Sequence, residues 1–230
     1  MKTRLKRRQR NRKRISQLNK PICKTEIPFE PYYDRDGITI YNADCKKVLP
    51  FLGSFDLLLT DPPYGIDAGN MNLGGYASSQ IECGDWDKKA PTTATIQNSI
   101  EKAKDSIVWG GNYFDLPKSR NFLVWDKTTE MQGRSFAECE MAWCSWDAVA
   151  RVFRFSPTQM KKVHKTQKPL DLMRWCLSLV PDAQTILDPF MGSGTTLVAA
   201  KLEGRQAVGI EINEKYCESA AKRLEQGVLF

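Results

Sequence analysis

Four consecutive residues, Asp61-Pro62-Pro63-Tyr64, place a carboxylate, a donor-free backbone and a flat ring side by side. The prolines lack an N–H and hold φ fixed, so this short segment presents carbonyls only. A carboxylate and a neighbouring carbonyl together accept both hydrogens of an exocyclic amine. The tyrosine ring offers a stacking face for the base that carries the amine. The same four residues also suit a plain strand-to-loop exit. Asp61, Pro62, Pro63 and Tyr64 are the catalytic candidates.

A second constellation lies near the end of the chain. Asp188-Pro189-Phe190-Met191-Gly192-Ser193-Gly194-Thr195-Thr196 follows a short apolar run, and Glu211 stands 17 residues beyond Gly194. Gly192 and Gly194 let a backbone approach a ligand closely, and Glu211 sits where an acid reaches ribose hydroxyls. The spacing is neither GxGxxG nor the Walker sequence, which disfavours a dinucleotide or a nucleoside triphosphate. A lone Gly-x-Gly is a weak signal. The full strand–turn–helix–strand–acid context favours a nucleoside over a plain tight turn.

The elements that must position these residues are readable from their apolar runs. Residues 55–60 form a short run, apolar apart from Asp56 and Thr60 and unbroken by alternation, the pattern of a buried parallel strand. That puts Asp61 at a strand's carboxyl end, where open α/β sheets bind ligands. Residues 38–42 read as a strand ending near Asp44, followed by a helix over 46–52, which makes a βαβ unit with 55–60. Asp44 suits both a helix N-cap and a ligand contact. A helix is expected over 94–105, then a strand over 106–109. Residues 121–127 and 138–146 are expected to form an antiparallel edge pair. Pro169 opens an apolar helix. Strands at 184–187 and 206–210 flank a helix at 197–202, and a last helix runs over 213–225.

Length and composition bound the rest. The chain has 230 residues, 41% of them hydrophobic and 27% charged, as in a globular domain. Its net charge of +7 is concentrated at one end: the first 20 residues hold ten Lys or Arg and no acid, leaving 24 basic residues against 27 acidic ones. Such a tail, with Arg7, Arg8, Arg10, Arg12 and Arg14, suits sequence-independent phosphate contact, or else a solubilising arm or a sorting signal. The seven cysteines are scattered without a CxxC, and there is a single histidine, His164. Reduced thiols in a cytoplasmic compartment are expected, with no metal site and no membrane span.

Taken together, these pieces resemble the S-adenosylmethionine-dependent amino-methyltransferases of DNA. Asp61-Pro62-Pro63-Tyr64 matches that family's catalytic motif, and Asp188 to Thr196 its cofactor motif. Thr166-Gln167-Lys168-Pro169-Leu170 matches the segment that opens the helix flanking the methionine pocket. The catalytic motif comes first, the order of the β group. The resemblance covers roughly residues 37 to 226. It implies a mostly parallel seven-stranded Rossmann-like α/β sheet with helices on both faces. It implies methyl transfer from S-adenosylmethionine to adenine N6, or to cytosine N4, on a flipped base. Asp in the first motif position favours adenine. A sulfonium donor already carries positive charge, so the implied reaction asks for no metal. The implied cofactor residues are Asp44, Cys45, Asp61, Thr166, Lys168, Pro169, Asp188, Phe190, Gly192, Gly194, Thr195, Glu211 and Ile212.

The organisation expected is a basic tail and linker over 1–36 and a catalytic domain over 37–230, acting as monomer or homodimer. The host would be a bacterium, or a bacterial cytoplasm reached by a phage. The family's sequence-specific members carry a substantial recognition segment, and only 147–163 is available for it here. A short or degenerate target sequence is therefore expected, with affinity from the tail and from Arg151, Arg154, Lys161 and Lys162 on phosphates. The irregular 66–91 loop is a further candidate for base contact. RNA as the substrate, or a catalytically silent nucleic-acid-binding module, are the alternatives.

Overall fold

The computed structural model describes residues 27–66, 88–128, 137–159 and 167–226. Nine strands form one sheet: β1 (Tyr33–Arg35), β2 (Ile38–Asn42), β3 (Phe55–Thr60), β4 (Ala103–Trp109), β5 (Phe122–Asp126), β6 (Cys139–Cys144), β7 (Arg151–Arg154), β8 (Thr185–Asp188) and β9 (Gln206–Glu211). Five helices accompany them: α1 (Cys45–Val48), α2 (Thr93–Ile100), α3 (Leu170–Leu179), α4 (Thr195–Leu202) and α5 (Glu214–Glu225). The sheet order is β1-β2-β9-β8-β3-β4-β6-β5-β7. The four pairings from β2 to β4 are parallel, and β6 runs antiparallel to both β4 and β5.

The seven expected strands form the interior of this sheet, and β1 and β7 are additions at its two edges. Tyr33–Arg35 pairs antiparallel with β2, so residues read as linker belong to the sheet. Residues 151–154, read as a connection, pair parallel with β5. The helix expected over 94–105 ends at Ile100 instead, and β4 begins at Ala103. The reason is tertiary: Ala103 aligns with Phe55, so the whole length of β3 gains a parallel partner. The antiparallel pair expected from 121–127 and 138–146 is present as β5 and β6.

Period-2 alternation splits the central strands between two cores. Leu57, Leu59, Ile107 and Trp109 face α3, α4 and α5, whereas Leu58, Val108, Leu187 and Val208 face α1 and α2. Helices therefore cover both faces. The chain leaves β3 toward α2 on one face and leaves β8 toward α4 on the other. The two loops diverge from adjacent strands, which is the topological switch point where a crevice opens at the carboxyl ends.

Side chains pin that junction at both ends. At the amino ends, Asp56 accepts hydrogen bonds from the backbone N–H groups of Gln184 and Thr185 at 2.8 and 2.9 Å. At the carboxyl ends, the Thr60 hydroxyl donates to Asp188 at 2.8 Å. Among the described residues, no helix is long and apolar enough to cross a membrane.

Candidate active site

Asp61 is the first residue after β3 and retains partial exposure, with 23% of its side chain accessible. Its two oxygens have different partners. The Tyr64 hydroxyl donates to Oδ1 at 2.5 Å, and the Lys168 ammonium meets Oδ2 at 2.7 Å. Burial pushes the Asp61 carboxyl above its ordinary value, and the Lys168 charge opposes that rise. Burial, and then the Asp61 carboxylate, push Tyr64 well above the usual phenol value, so it stays a donor.

The Tyr64 ring is held by its surroundings. It stacks on Tyr113 with centroids 4.8 Å apart and planes 12° from parallel. Gly110, left-handed at φ +66, lies against the ring: a Cβ there would stand 2.0, 2.5 and 2.6 Å from Cε1, Cζ and Cδ1. Those three distances place the missing Cβ over the ring's face, not its edge. Gly110 is the residue after β4, so a close backbone approach at the neighbouring strand's end seats the tyrosine.

Lys168 comes from the segment just before α3, and its side chain is only 5% exposed. Its ammonium also meets Glu140 Oε2 at 2.8 Å, and Lys127 meets Glu140 Oε1 at 2.7 Å. Burial alone would lower Lys168, but Asp61 and Glu140 outweigh it and raise the amine above its usual range. Burial would raise Glu140, but Lys168 and Lys127 outweigh it and hold the carboxyl at about 2. Glu140 is therefore ionised and Lys168 protonated at neutral pH.

Glu140 reaches this edge because β6 is antiparallel. Its amino end lies beside the carboxyl ends of β4 and β5, with Glu140 opposite Trp125. Lys127 follows β5 directly. Sequence reasoning missed Glu140, Lys127, Gly110 and Tyr113. Only the turn signal Gly110-Gly111 after an apolar run pointed toward any of them.

The glycine turn lies across the switch point. Gly192 and Gly194 are left-handed at φ +51 and +77. A Cβ on Gly192 would meet nothing within 4 Å, so this side of the turn faces open space. The Gly192 N–H donates to Glu211 Oε2 at 3.0 Å, and the Asn213 N–H donates to Oε1 at 2.8 Å. Burial raises the Glu211 carboxyl, and these backbone N–H groups oppose the rise. Arg223 clamps the turn from α5 through the Ser193 carbonyl at 2.6 Å and the Thr195 hydroxyl at 3.2 Å. Asn42 donates to the carbonyls of Glu211 and Ile212. Neither Arg223 nor Asn42 was singled out from the sequence.

The other expected site residues are spread more widely. Asp44 caps α1, accepting from Lys46 N–H at 3.0 Å, and Cys45 is buried behind it. Asp188 is 2% exposed and is spent on Thr60 and on the Phe190 N–H, so it acts on a ligand only through the turn it holds. Burial lifts its pKa to about 7. Pro169 is the N-cap of α3, and Ile212 is exposed beside Glu211. Arg151 and Arg154 lie on edge strand β7, away from these two loops in the sheet order, and Arg154 meets Asp126 at 3.2 Å. Arg7, Arg8, Arg10, Arg12, Arg14, Lys161, Lys162, Thr166 and loop residues 67–87 lie outside the described residues. Among the described residues, no group of three or more His, Cys, Asp or Glu side chains is placed to hold a metal ion.

Comparison with known proteins points the same way as the geometry. Residues 85–222 match the N6/N4 family model described as DNA methylase. The chain is 26% identical to the type II methyltransferase M2.LlaDCHI of Lactococcus lactis subsp. cremoris, over 87% of this chain and 94% of the relative. It is also 26% identical to the type II methyltransferase M2.DpnII of Streptococcus pneumoniae, over 85% and 92%. The fold is similar to that of the PvuII cytosine-N4-specific DNA methyltransferase, with a TM-score of 0.59 at 14% identity over 89% and 92% of the two chains. It is similar too to M1.HpyAVI, solved in complex with SAM, with a TM-score of 0.55 at 23% identity over 82% and 99%.

Proposed function

The chain belongs to the DNA methylase family whose model its residues match, and from that premise we propose that it methylates the N6 amine of adenine in DNA, with S-adenosylmethionine as donor. One observation carries the reading. The Asp61–Tyr64 loop and the Gly192–Gly194 turn leave the carboxyl ends of adjacent strands, latched together by the Thr60–Asp188 hydrogen bond.

The residues present fit the donor. The open side of Gly192 gives a ligand room beside the backbone, and Glu211 is aimed by two N–H groups at the turn, a geometry suited to ribose hydroxyls. Bound there, S-adenosylmethionine supplies a methyl group carried on a positively charged sulfur. The relative solved with that molecule supports the same ligand here. Thr166, Lys168, Pro169, Phe190 and Thr195 are assigned to the methionine end, and Asp44 to the adenine end.

The chain's own residues orient the target. Asp61 accepts a hydrogen bond from the amine, and the Pro62 carbonyl accepts the other. Tyr64 steers Asp61 through its hydroxyl and receives the base on its ring. With Tyr113 only 4.8 Å away, no base fits between the two rings, so the base takes the place of the half-exposed Tyr113. The Lys168 ammonium, 2.7 Å away, favours the ionised form of Asp61 against its burial. Catalysis on this reading is positioning and fixed charge. Affinity for the polymer comes from the basic tail together with Arg151, Arg154, Lys161 and Lys162.

The test is transfer from labelled S-adenosylmethionine to DNA and to RNA, followed by nucleoside analysis. N6-methyladenine from DNA is the expected product. N4-methylcytosine alone would overturn the base assignment, N6-methyladenine only from RNA would overturn the polymer, and no methylated nucleoside would overturn the enzyme reading.

A further inference from the structure

The three charged groups gathered beside Asp61 (Lys168, Glu140 and Lys127) are more than the fold requires. A buried ion-pair network is a weak stabilising device, since apolar side chains of similar volume often serve a core as well or better. The network lies at the candidate site and nowhere else in the sheet's interior among the described residues, which is where burial with specific charge partners tends to mark function.

Lys168 is the centre of it. The ammonium donates to Asp61 Oδ2 at 2.7 Å and to the Tyr64 oxygen at 3.3 Å, and it meets Glu140 Oε2 as an ion pair at 2.8 Å. The groups facing Asp61 are Tyr64, Lys168 and Glu140, with Tyr113 behind Tyr64 and Asp188 across the strand junction. Lys127 enters only through Glu140. If Asp61 were the sole counter-charge of Lys168, turning it toward a substrate amine would strand a buried ammonium without a partner charge. Glu140 is already in place to keep that ammonium company.

We propose that Glu140, clamped by Lys127, is a positioning residue that retains Lys168 in the site while Asp61 exchanges its lysine contact for the target amine. The inference rests on the amine-methylating role of Asp61 argued above. Lys127 sets the balance: its charge keeps Glu140 from drawing Lys168 wholly away from Asp61. Removing that charge strips Asp61 of positive potential through Glu140 and Lys168.

The experiment follows the Asp61 carboxyl carbon by NMR through a pH titration of the full chain without substrate. Lys127→Met should move the Asp61 midpoint up by about one pH unit, equivalent to a tenfold change in protonation. Lys127→Arg should restore it, and Glu140→Gln should move it down. A merely structural loosening would let water in and move Asp61 down in every variant. In single-turnover methyl transfer, Glu140→Gln should lose at least about tenfold in rate with an unchanged KM for S-adenosylmethionine. An Asp61 midpoint indifferent to Lys127, or a wild-type rate in Glu140→Gln, overturns the inference. A wild-type protein that methylates no base overturns the proposed function instead, whatever the titration shows.

Discussion

Replacing Gly110 with alanine tests whether the seat of Tyr64 controls the chemistry. A Cβ at this position stands 2.0 Å from Tyr64 Cε1. Carbon atoms in contact prefer about 3.5 to 4.0 Å, so the ring must retreat by about 1.5 Å. Retreat pulls the hydroxyl from Asp61, now at 2.5 Å, and from Lys168, now at 3.3 Å. A displacement of about 1 Å at a reacting centre can cost about 10²-fold in rate, or roughly 2.7 kcal/mol. The left-handed φ of +66 adds a separate stability loss, about 1 to 2 kcal/mol for a residue with a Cβ. Binding of S-adenosylmethionine, measured by titration calorimetry, should be unchanged, because the glycine turn and Glu211 are untouched. Single-turnover transfer should fall about a hundredfold. A double-mutant cycle sharpens the test: once Tyr64→Ala has removed the ring, adding Gly110→Ala should cost little further rate. A folded, cofactor-binding Gly110→Ala protein with the wild-type rate, or full additivity in the cycle, would refute the reasoning.

Three further outcomes are expected. Gly194→Ala places a Cβ 2.7 Å from that of Ala220 at a φ of +77; denaturant unfolding should show a loss of about 1 to 3 kcal/mol, and calorimetry weaker cofactor binding. Asp188, with its pKa raised to about 7, holds a proton in the folded state that the unfolded chain releases near pH 4. Wild-type stability should therefore fall as pH rises from about 4 to about 7, and Asp188→Asn should abolish that slope, read as Tm against pH for both proteins. Deleting residues 2–20 should weaken binding to DNA and flatten its dependence on salt concentration; an unchanged slope would remove the tail from the interface.

Local sequence revealed what local physics decides. The 55–60 strand matches its expected bounds because a short run centred on Leu57, Leu58 and Leu59, between a glycine-containing loop and two prolines, has few other solutions. The Gly192–Gly194 turn was legible because both glycines take a backbone conformation other residues rarely adopt. Residues 103–105 were misread because Ala-Lys-Asp suits a helix, and only the partner strand at 55–57 makes them extended. Tyr33–Arg35 reads as linker for the same reason, since its only claim to be a strand is its pairing with β2.

The site shows the same division at the scale of single side chains. Asp61 and Tyr64 are three residues apart and announce themselves together. The charges that face Asp61, however, come from Lys168, which is 107 positions away, and from Glu140, whose place depends on the reversed direction of β6. In the sequence Glu138-Cys139-Glu140-Met141, Glu140 looks like one acid of a solvent-facing alternation. Pattern alone assigns it to water, and the antiparallel return places it in the site beside two lysines. The motif therefore identifies the carboxylate that the proposed reaction sets against an amine. The long-range strand order determines which charges face that carboxylate, and that is a property no window of sequence around Asp61 contains.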